Sequence, residues 1–226
     1  MPKRELKPEE KTLLSRAARE VRHGAFVNLG IGLPQYLPEY LPSALEVTFH
    51  SENGFTGMGE GNPDGTPDSD IIDAGGRPCR VIKGAAFFDS LTSFAIVRGG
   101  NLDLAVLGAF EVAVNGDLAN WKIPGKFIPG MGGGMELAQK ANHVLVISHH
   151  IDKKGRAKLV NECSLPLTGK ACVDTLVTDR AVFRLRNGRM TLTCVHSDHT
   201  PESVLDPIDA DVSVADDLEL WDPADR

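Results

Sequence analysis

The sequence predicts an α/β fold: an open, mainly parallel sheet with helices on both faces and a β-hairpin towards the C-terminus. Three observations carry this expectation. Strand-like and helix-like segments alternate along most of the 226 residues. Several strand segments, such as Leu102–Leu107 and Val144–Ser148, are continuous apolar runs, as in strands covered on both faces. Asn187-Gly188, set between Ala181–Arg186 and Arg189–Val195, is a strong hairpin signal.

The elements follow in order. Residues 8–22 read as an amphipathic helix: Pro8 suits a first turn, Glu9 and Glu10 favour its positive end, and Leu13, Leu14, Ala17, Ala18 and Val21 recur at helical spacing. Gly24 ends it. Ala25–Leu29 is a short strand, Gly30-Ile31-Gly32 a tight turn, and Pro34 opens a short proline-interrupted helix. Val47–Ser51 is a second strand, which runs into Glu52-Asn53-Gly54 and a long glycine-rich loop to Thr66. Arg80–Ile82 is a further strand, Leu91–Val97 a helix, and Leu102–Leu107 and Phe110–Val114 are strands, the last closed by an Asn115-Gly116 turn. The glycine run at 130–134 precedes a helix at Met135–Ala141, then comes the strand Val144–Ser148, and Thr200-Pro201-Glu202 opens a last short helix.

Composition places the chain among ordinary globular proteins: 42% of residues are hydrophobic and 24% charged, enough for one domain over 1–226 with its own core. The net charge of −7 is a property of the end of the chain, because nine acidic residues from Glu202 to Asp225 face only Arg226. A solvated acidic tail from about residue 207 is the expectation. No basic stripe suggests a nucleic-acid partner, and no apolar run is long enough for a membrane span. Cys79, Cys163, Cys172 and Cys194 form no CxxC pair and read as reduced core thiols of a cytoplasmic protein.

In α/β sheets, ligands bind beyond the carboxyl ends of the strands. Glu52, Gly30–Gly32 and Gly130–Gly134 all fall there. A carboxylate just off a strand end is a candidate nucleophile, against the plainer reading of a solvated loop acid. Glycines ahead of a helix can offer backbone N–H groups to an oxyanion. No Gly-Lys-Ser/Thr follows, so this is no phosphate loop of the P-loop type, and Gly30-Ile31-Gly32 lacks the third glycine of a dinucleotide fingerprint. His149-His150 and His196-x-x-His199 lack a third ligand at zinc-like spacing and read as core or solvated histidines. His50 and Ser51 are strand neighbours on opposite faces, which argues against a Ser-His nucleophile pair.

Taken together, these segments resemble a known family. Val27–Pro34 resembles the opening of the B subunit of class I (3-oxoacid) CoA-transferases, and Ser51-Glu52-Asn53-Gly54 resembles that family's active-site motif. The resemblance continues through Arg98-Gly99-Gly100, Leu107-Gly108-Ala109, Gly116–Trp121, Ile123–Lys126, Gly130–Gly133 and Leu165–Lys170, in order, over roughly residues 12–195. It is closest to the succinyl-CoA:3-oxoacid branch, beside 3-oxoadipate and acetate or butyrate relatives. It implies the CoA-transferase and sugar-phosphate-isomerase-like fold.

The resemblance also implies roles. Glu52 is the nucleophile that becomes first an acyl anhydride and then a glutamyl-CoA thioester. The Gly133 backbone N–H is the oxyanion donor, with Gly132 beside it. Asn53 and Gly54 shape the turn, and Gly30, Ile31 and Gly32 line the floor. CoA is a substrate, with no metal or redox cofactor. The expected partner is an A subunit, in a heterotetramer of two A and two B. Glu60 stands where the family commonly has proline, so an acid is expected near the acyl pocket. A hydrolase of CoA esters on the same scaffold and a non-enzymatic sensor of small molecules are the competing readings.

Overall fold

The computed structural model describes residues 4–59, 70–125 and 130–222. Glu60, Lys126 and the last four residues of the acidic segment lie outside the described residues. The chain begins with helix α1 (Pro8–Ala18), strand β1 (Phe26–Leu29), a 3-10 helix (Leu33–Tyr40), β2 (Thr48–Ser51), β3 (Phe55–Gly59) and β4 (Arg80–Phe87). Helix α2 (Ser90–Arg98), β5 (Leu104–Gly108), β6 (Glu111–Ala113), β7 (Leu118–Ala119), α3 (Gly134–Lys140) and β8 (Val144–Ile147) follow. The rest comprises β9 (Leu159–Val160), β10 (Thr175–Val177), β11 (Ala181–Arg186), β12 (Arg189–His196), α4 (Pro201–Leu205) and β13 (Ser213–Trp221).

Among the described residues, β13-β12-β11-β10-β8-β5-β1-β2-β3-β4 form one ten-stranded sheet, and β7-β6-β9 a small second one. The central strands β10, β8, β5, β1 and β2 are parallel. The wings are antiparallel, β3 and β4 on one side and the β11–β12 hairpin on the other. The expected architecture is therefore present, with an antiparallel flank at each end of the parallel core.

Both faces of the sheet are covered, which is why the central strands are apolar throughout. On β5 and β8, Ala105, Leu107, Val144 and Val146 face a core shared with α2, α3, α4 and the small sheet. Their neighbours Leu104, Val106, Leu145 and Ile147 face a second core with α1 and the 3-10 helix. The side-chain period of two thus divides each strand between two cores.

Four sequence expectations are corrected. Helix α1 stops at Ala18, because Glu20 and Val21 already bond three residues back to Ala17 and Ala18 in a tightened last turn. The segment after Gly54 begins as strand β3, not loop; its glycines hide the pattern, and Gly57, at φ +77, bulges it between Thr56 and Met58. Strand β4 runs on from Ile82 to Phe87 as the partner of β3. The acidic segment is no free tail: Ser213–Trp221 pairs parallel to β12 at the sheet edge, burying Ala215 and Trp221. Asp216, Asp217 and Glu219 face solvent there, the charged pattern that keeps an edge strand from pairing with another chain.

Trp221 is 2% exposed and meets the His196 ring edge-on at 4.8 Å. Trp221→Ala is expected to destabilise the fold by about 3–5 kcal/mol in urea denaturation. A loss under about 1 kcal/mol would mean that β13 merely decorates the edge.

Candidate active site

Strand β2 ends at Ser51, and the chain reverses through Glu52-Asn53-Gly54 into β3, so Glu52 sits on a hairpin turn at the carboxyl edge of the parallel strands. The Gly54 N–H donates to the Ser51 carbonyl at 3.0 Å, and the Gly54 carbonyl accepts from the Phe88 N–H at 2.9 Å. Gly54 has φ +131, and a Cβ there would collide with the Phe88 carbonyl oxygen, so this turn requires glycine. Two more bonds fix its flanks: Ser51 Oγ accepts from the Ala74 N–H at 2.9 Å, and Asn53 Nδ2 donates to the Ile72 carbonyl at 2.8 Å.

Among the described residues, the half-buried Glu52 carboxylate is held on one side only. Asn28 Nδ2, on the neighbouring strand β1, donates to Glu52 Oε2 at 2.9 Å. Asn28 is fully buried and also lies 3.1 Å from His50 Nδ1 and 3.2 Å from the His50 carbonyl. His50 Nε2 reaches Ser93 Oγ on α2 at 2.9 Å. Burial pushes the His50 imidazole down to about 4, so the ring is neutral near pH 7. Asn28 Oδ1 is buried without a partner among the described residues, a desolvation cost of about 1–3 kcal/mol. Ser51 and His50 have separate partners, as their opposite orientations require.

On the other side of Glu52 stands the start of α3. A Cβ on Gly133 would lie 2.8 Å from Phe94 Cζ and 3.4 Å from Glu52 Cγ. Glycine thus lets the α3 backbone pass between the Phe94 ring and the Glu52 side chain. Among the described residues no acceptor takes the N–H of Gly132 or Gly133. Arg98 joins α2 to α3 through Glu136 at 2.6 Å and lies over the Phe94 ring at 5.7 Å.

The turn after β1 is tied to the same loops. The Gly30 N–H donates to the Val106 carbonyl at 2.8 Å. The Gly32 N–H donates to Gln35 Oε1 at 2.9 Å, and Gln35 Nε2 donates to Asp73 Oδ2 at 2.8 Å. Ile31 projects outward, 71% exposed. Glu52, Asn53, Gly54, Gly132 and Gly133 therefore converge, and Gly30–Gly32 lie at the end of the adjacent strand. Asn28, His50, Ser93 and Phe94 complete the arrangement; the sequence points to His50 only as a partner for Ser51 and does not single out the other three. The available signal was a polar residue inside the apolar strand Phe26–Leu29.

His150 and His196 lie away from this site, both buried; His150 Nε2 donates to the Val204 carbonyl at 2.9 Å, and His196 Nδ1 accepts from the Asp198 N–H at 3.0 Å. An open cleft of about 690 Å³ lies at the opposite, amino edge of the sheet, beside Arg22, His23 and His143. Another, of about 570 Å³, lies beside Phe49, Met58 and Arg77. Neither is lined by Glu52, which is half-buried between Asn28 and the start of α3.

A family model described as coenzyme A transferase matches residues 11–208. The chain is 45% identical over 210 residues to one subunit of a probable succinyl-CoA:3-ketoacid coenzyme A transferase of Bacillus subtilis, covering 93% of this chain and 97% of that protein. It is 44% identical to the β subunit of the acetate CoA-transferase of Escherichia coli K12, covering 90% and 93% respectively. Among solved structures, the apoenzyme of the acyl-CoA transferase YdiF from Escherichia coli O157:H7 shares the fold, with a TM-score of 0.76 at 21% identity. The match covers 97% of this chain and 44% of YdiF, so this chain spans less than half of that polypeptide.

The neutral, buried His50 makes stability depend on pH. In the unfolded chain it takes up a proton with the ordinary value of 6.5, and in the fold only near 4. Its contribution is therefore complete above about pH 6.5 and is lost as the pH falls towards 4, by up to about 3 kcal/mol. His150 shifts in the same direction, also through burial, and adds to the slope. Denaturation across this range should be shallower for His50→Gln than for the native chain; equal slopes would show that His50 takes up its proton without penalty in the fold.

Proposed function

The chain belongs to the coenzyme A transferase family, and from that premise we propose that it moves CoA from an acyl-CoA, such as succinyl-CoA, to a 3-oxo or short-chain acid, such as acetoacetate. The observation that carries this reading is the Glu52 carboxylate, with one oxygen held from within the protein, Oε1 without a hydrogen-bond partner among the described residues, and the Gly133 backbone against its Cγ.

Exchange of CoA between two carboxylic acids trades one thioester for another, and an enzyme carboxylate is a suitable third acid. Glu52 attacks the acyl-CoA carbonyl, forms a C–O bond and expels CoA thiolate, leaving a mixed anhydride. The thiolate then attacks Glu52 Cδ, and the first acid departs with the bridging oxygen. The resulting glutamyl-CoA thioester is attacked by the acceptor acid, and the steps reverse, which is covalent ping-pong catalysis. The Gly133 N–H serves as oxyanion donor, Gly132 and Gly30–Gly32 contact the substrate, and Asn53 and Gly54 hold the turn. CoA is a substrate; no further cofactor enters the scheme.

Both relatives are named as one subunit of their enzyme, which supports a separate A subunit as partner; assembly as a heterotetramer of two of each is part of the proposal. The surface agrees: Ile31, Phe87 and Leu91 are 71%, 64% and 72% exposed at the site's edge. A partner seated on this rim would cover Glu52 and exclude water. No helix among the described residues is long and apolar enough to cross a membrane, and a cytoplasmic location is part of the reading. The acetate CoA-transferase relative favours acetate as an alternative acceptor.

Incubation with acetoacetyl-CoA, in the presence of the A subunit and without an acceptor acid, should give a CoA adduct on Glu52 by intact mass. Succinate should discharge it, and Glu52→Ala should form none while still binding the partner. Release of free CoA without an adduct would favour the hydrolase. Gly133→Ala keeps the N–H, but its methyl must displace the Phe94 ring, and by shifting the donor it should lower kcat by up to about 10²-fold, the scale of a fully lost oxyanion donor; unchanged kcat would show that this displacement does not reach the reacting carboxylate.

A further inference from the structure

We propose that Lys158 determines acyl specificity: its ammonium binds the second carboxylate of a dicarboxylic acyl group, so that the site selects diacids of the succinyl class over simple short-chain acids. This rests on the reading of Glu52 as the acyl carrier. Lys158 Nζ donates to the Ala109 carbonyl at 3.1 Å and to Ser148 Oγ at 2.9 Å. Ala109 and Ser148 are the first residues past the ends of β5 and β8. The ammonium therefore stands at the carboxyl edge of the parallel strands, where ligands of such sheets bind. It is also on the face of the sheet that carries α2 and α3. Ser148 continues the alternation of Val144 and Val146, which face that core, and Ala109 packs against it.

The charge of Lys158 is unanswered within this chain. The side chain is half-buried, yet both of its acceptors are neutral oxygens, and among the described residues no carboxylate forms an ion pair with it. Burial pushes its value down, and only Asp152 and Asp179 act against this, from a distance. Both of these acids are engaged elsewhere. Asp152 accepts from the Lys154 N–H at 2.7 Å and from the Arg156 guanidinium at 2.7 Å, and Asp179 accepts from the His150 N–H at 2.6 Å. A charge drawn out of water ordinarily has an opposite charge beside it. An ammonium also has three donors. Two are fixed here by Ala109 and Ser148, which leaves the third aimed and without a partner among the described residues. An anion entering at the carboxyl edge supplies both the missing acceptor and the missing charge.

A run of contacts joins this ammonium to Glu52. The Gly133 backbone lies against Glu52 Cγ, and a Cβ on the next residue, Gly134, would lie 3.9 Å from Thr168 Cγ2. Thr168 Oγ1 donates to Asn120 Oδ1 at 2.5 Å, and Asn120 Nδ2 donates to the Gly108 carbonyl at 3.0 Å, one residue before Ala109. A Cβ on Gly108 would meet no atom within 4 Å, so there is open space beside the end of β5. Only β1 separates β2 from β5. The ends of those two strands are thus two strand spacings apart, about 10 Å. A four-carbon diacid joined to Glu52 by one carboxyl group extends along this edge at about 1.5 Å per bond and brings its second carboxylate to Lys158. An acid without that group leaves the third donor unmet. Ser148 is a positioning residue, acting through the direction it gives the ammonium.

The test uses the two-subunit enzyme carrying Lys158→Met, with acetoacetyl-CoA as donor. Succinate is compared as acceptor with butyrate, which has the same four carbons and no second carboxylate. The ratio of kcat/KM for succinate to that for butyrate should fall by about 10- to 100-fold, the scale of one hydrogen bond to a charged group. Lys158→Arg, which keeps the charge, should retain more of the ratio, and Ser148→Ala should lower it more weakly. A lysine that merely clips β5 to β8 would affect both acids alike, so an unchanged ratio in Lys158→Met overturns the proposal. A native enzyme that accepts butyrate as readily as succinate overturns it too. If Lys158→Met does not assemble, the native enzyme is treated with formaldehyde and cyanoborohydride, and methylation of Lys158 is read by peptide mass. Stronger protection by succinate than by butyrate supports the proposal. Equal methylation with both acids overturns it, as does a Lys158 that is closed to methylation without any acid, its ammonium then being taken by the partner subunit. Absence of a CoA adduct on Glu52 in the native enzyme would instead bring down the carrier itself, and this inference with it.

Discussion

The site depends on the register of β1 against β2. Phe26, Val27 and Asn28 stand opposite Thr48, Phe49 and His50. The pairing is pinned from the far side by Asp103, whose carboxylate accepts from the Phe26 N–H at 2.9 Å and whose own N–H donates to the Phe26 carbonyl at 3.0 Å. With that register Val27 and Phe49 enter the core beneath α1, and Asn28 and His50 turn towards α2. A slip of one residue would send each to the opposite face. The hydrophobic demand on Val27 and Phe49 therefore also places the polar pair behind Glu52.

Much of this was legible beforehand, for identifiable reasons. The buried central strands announce themselves as apolar runs, and Asn187-Gly188 marks its hairpin because few other residue pairs accept that turn. Glu52 and Gly133 were legible through long ordered blocks of family resemblance, not through local physics, which reads a loop acid as solvated. Strand β3 was hidden by Gly57 and Gly59, since glycine reports freedom and the constraint comes from pairing with β4. Strand β13 was hidden by its acids, because an edge strand that buries only Ala215 and Trp221 has the composition of a tail. Asn28 was hidden for the opposite reason: one polar residue in a four-residue strand carries no period, and its meaning lies in a histidine 22 positions away.

Around Glu52 the fold accepts local disadvantages together. Gly54 adopts a conformation that side chains rarely take, a methyl group on Gly133 would press on the Phe94 ring, and Asn28 keeps a buried oxygen unpaired among the described residues. None of these helps the chain fold. All three concern the placement of one carboxylate, and the two cores on either side of the sheet supply the stability that offsets them.

The exposed rim of Ile31, Phe87 and Leu91 has a consequence for how such a chain is made. Under the proposed assembly, an exposed apolar surface beside Glu52 would tie the behaviour of each copy to the supply of its partner. Copies made in excess would present that surface to one another, and association between unlike chains would compete with aggregation between like ones. Joining both halves in a single polypeptide replaces a bimolecular search by a tethered one, with an effective concentration set by the linker and not by synthesis. For the separate-chain form, balanced production of the two subunits becomes a physical requirement of the surface.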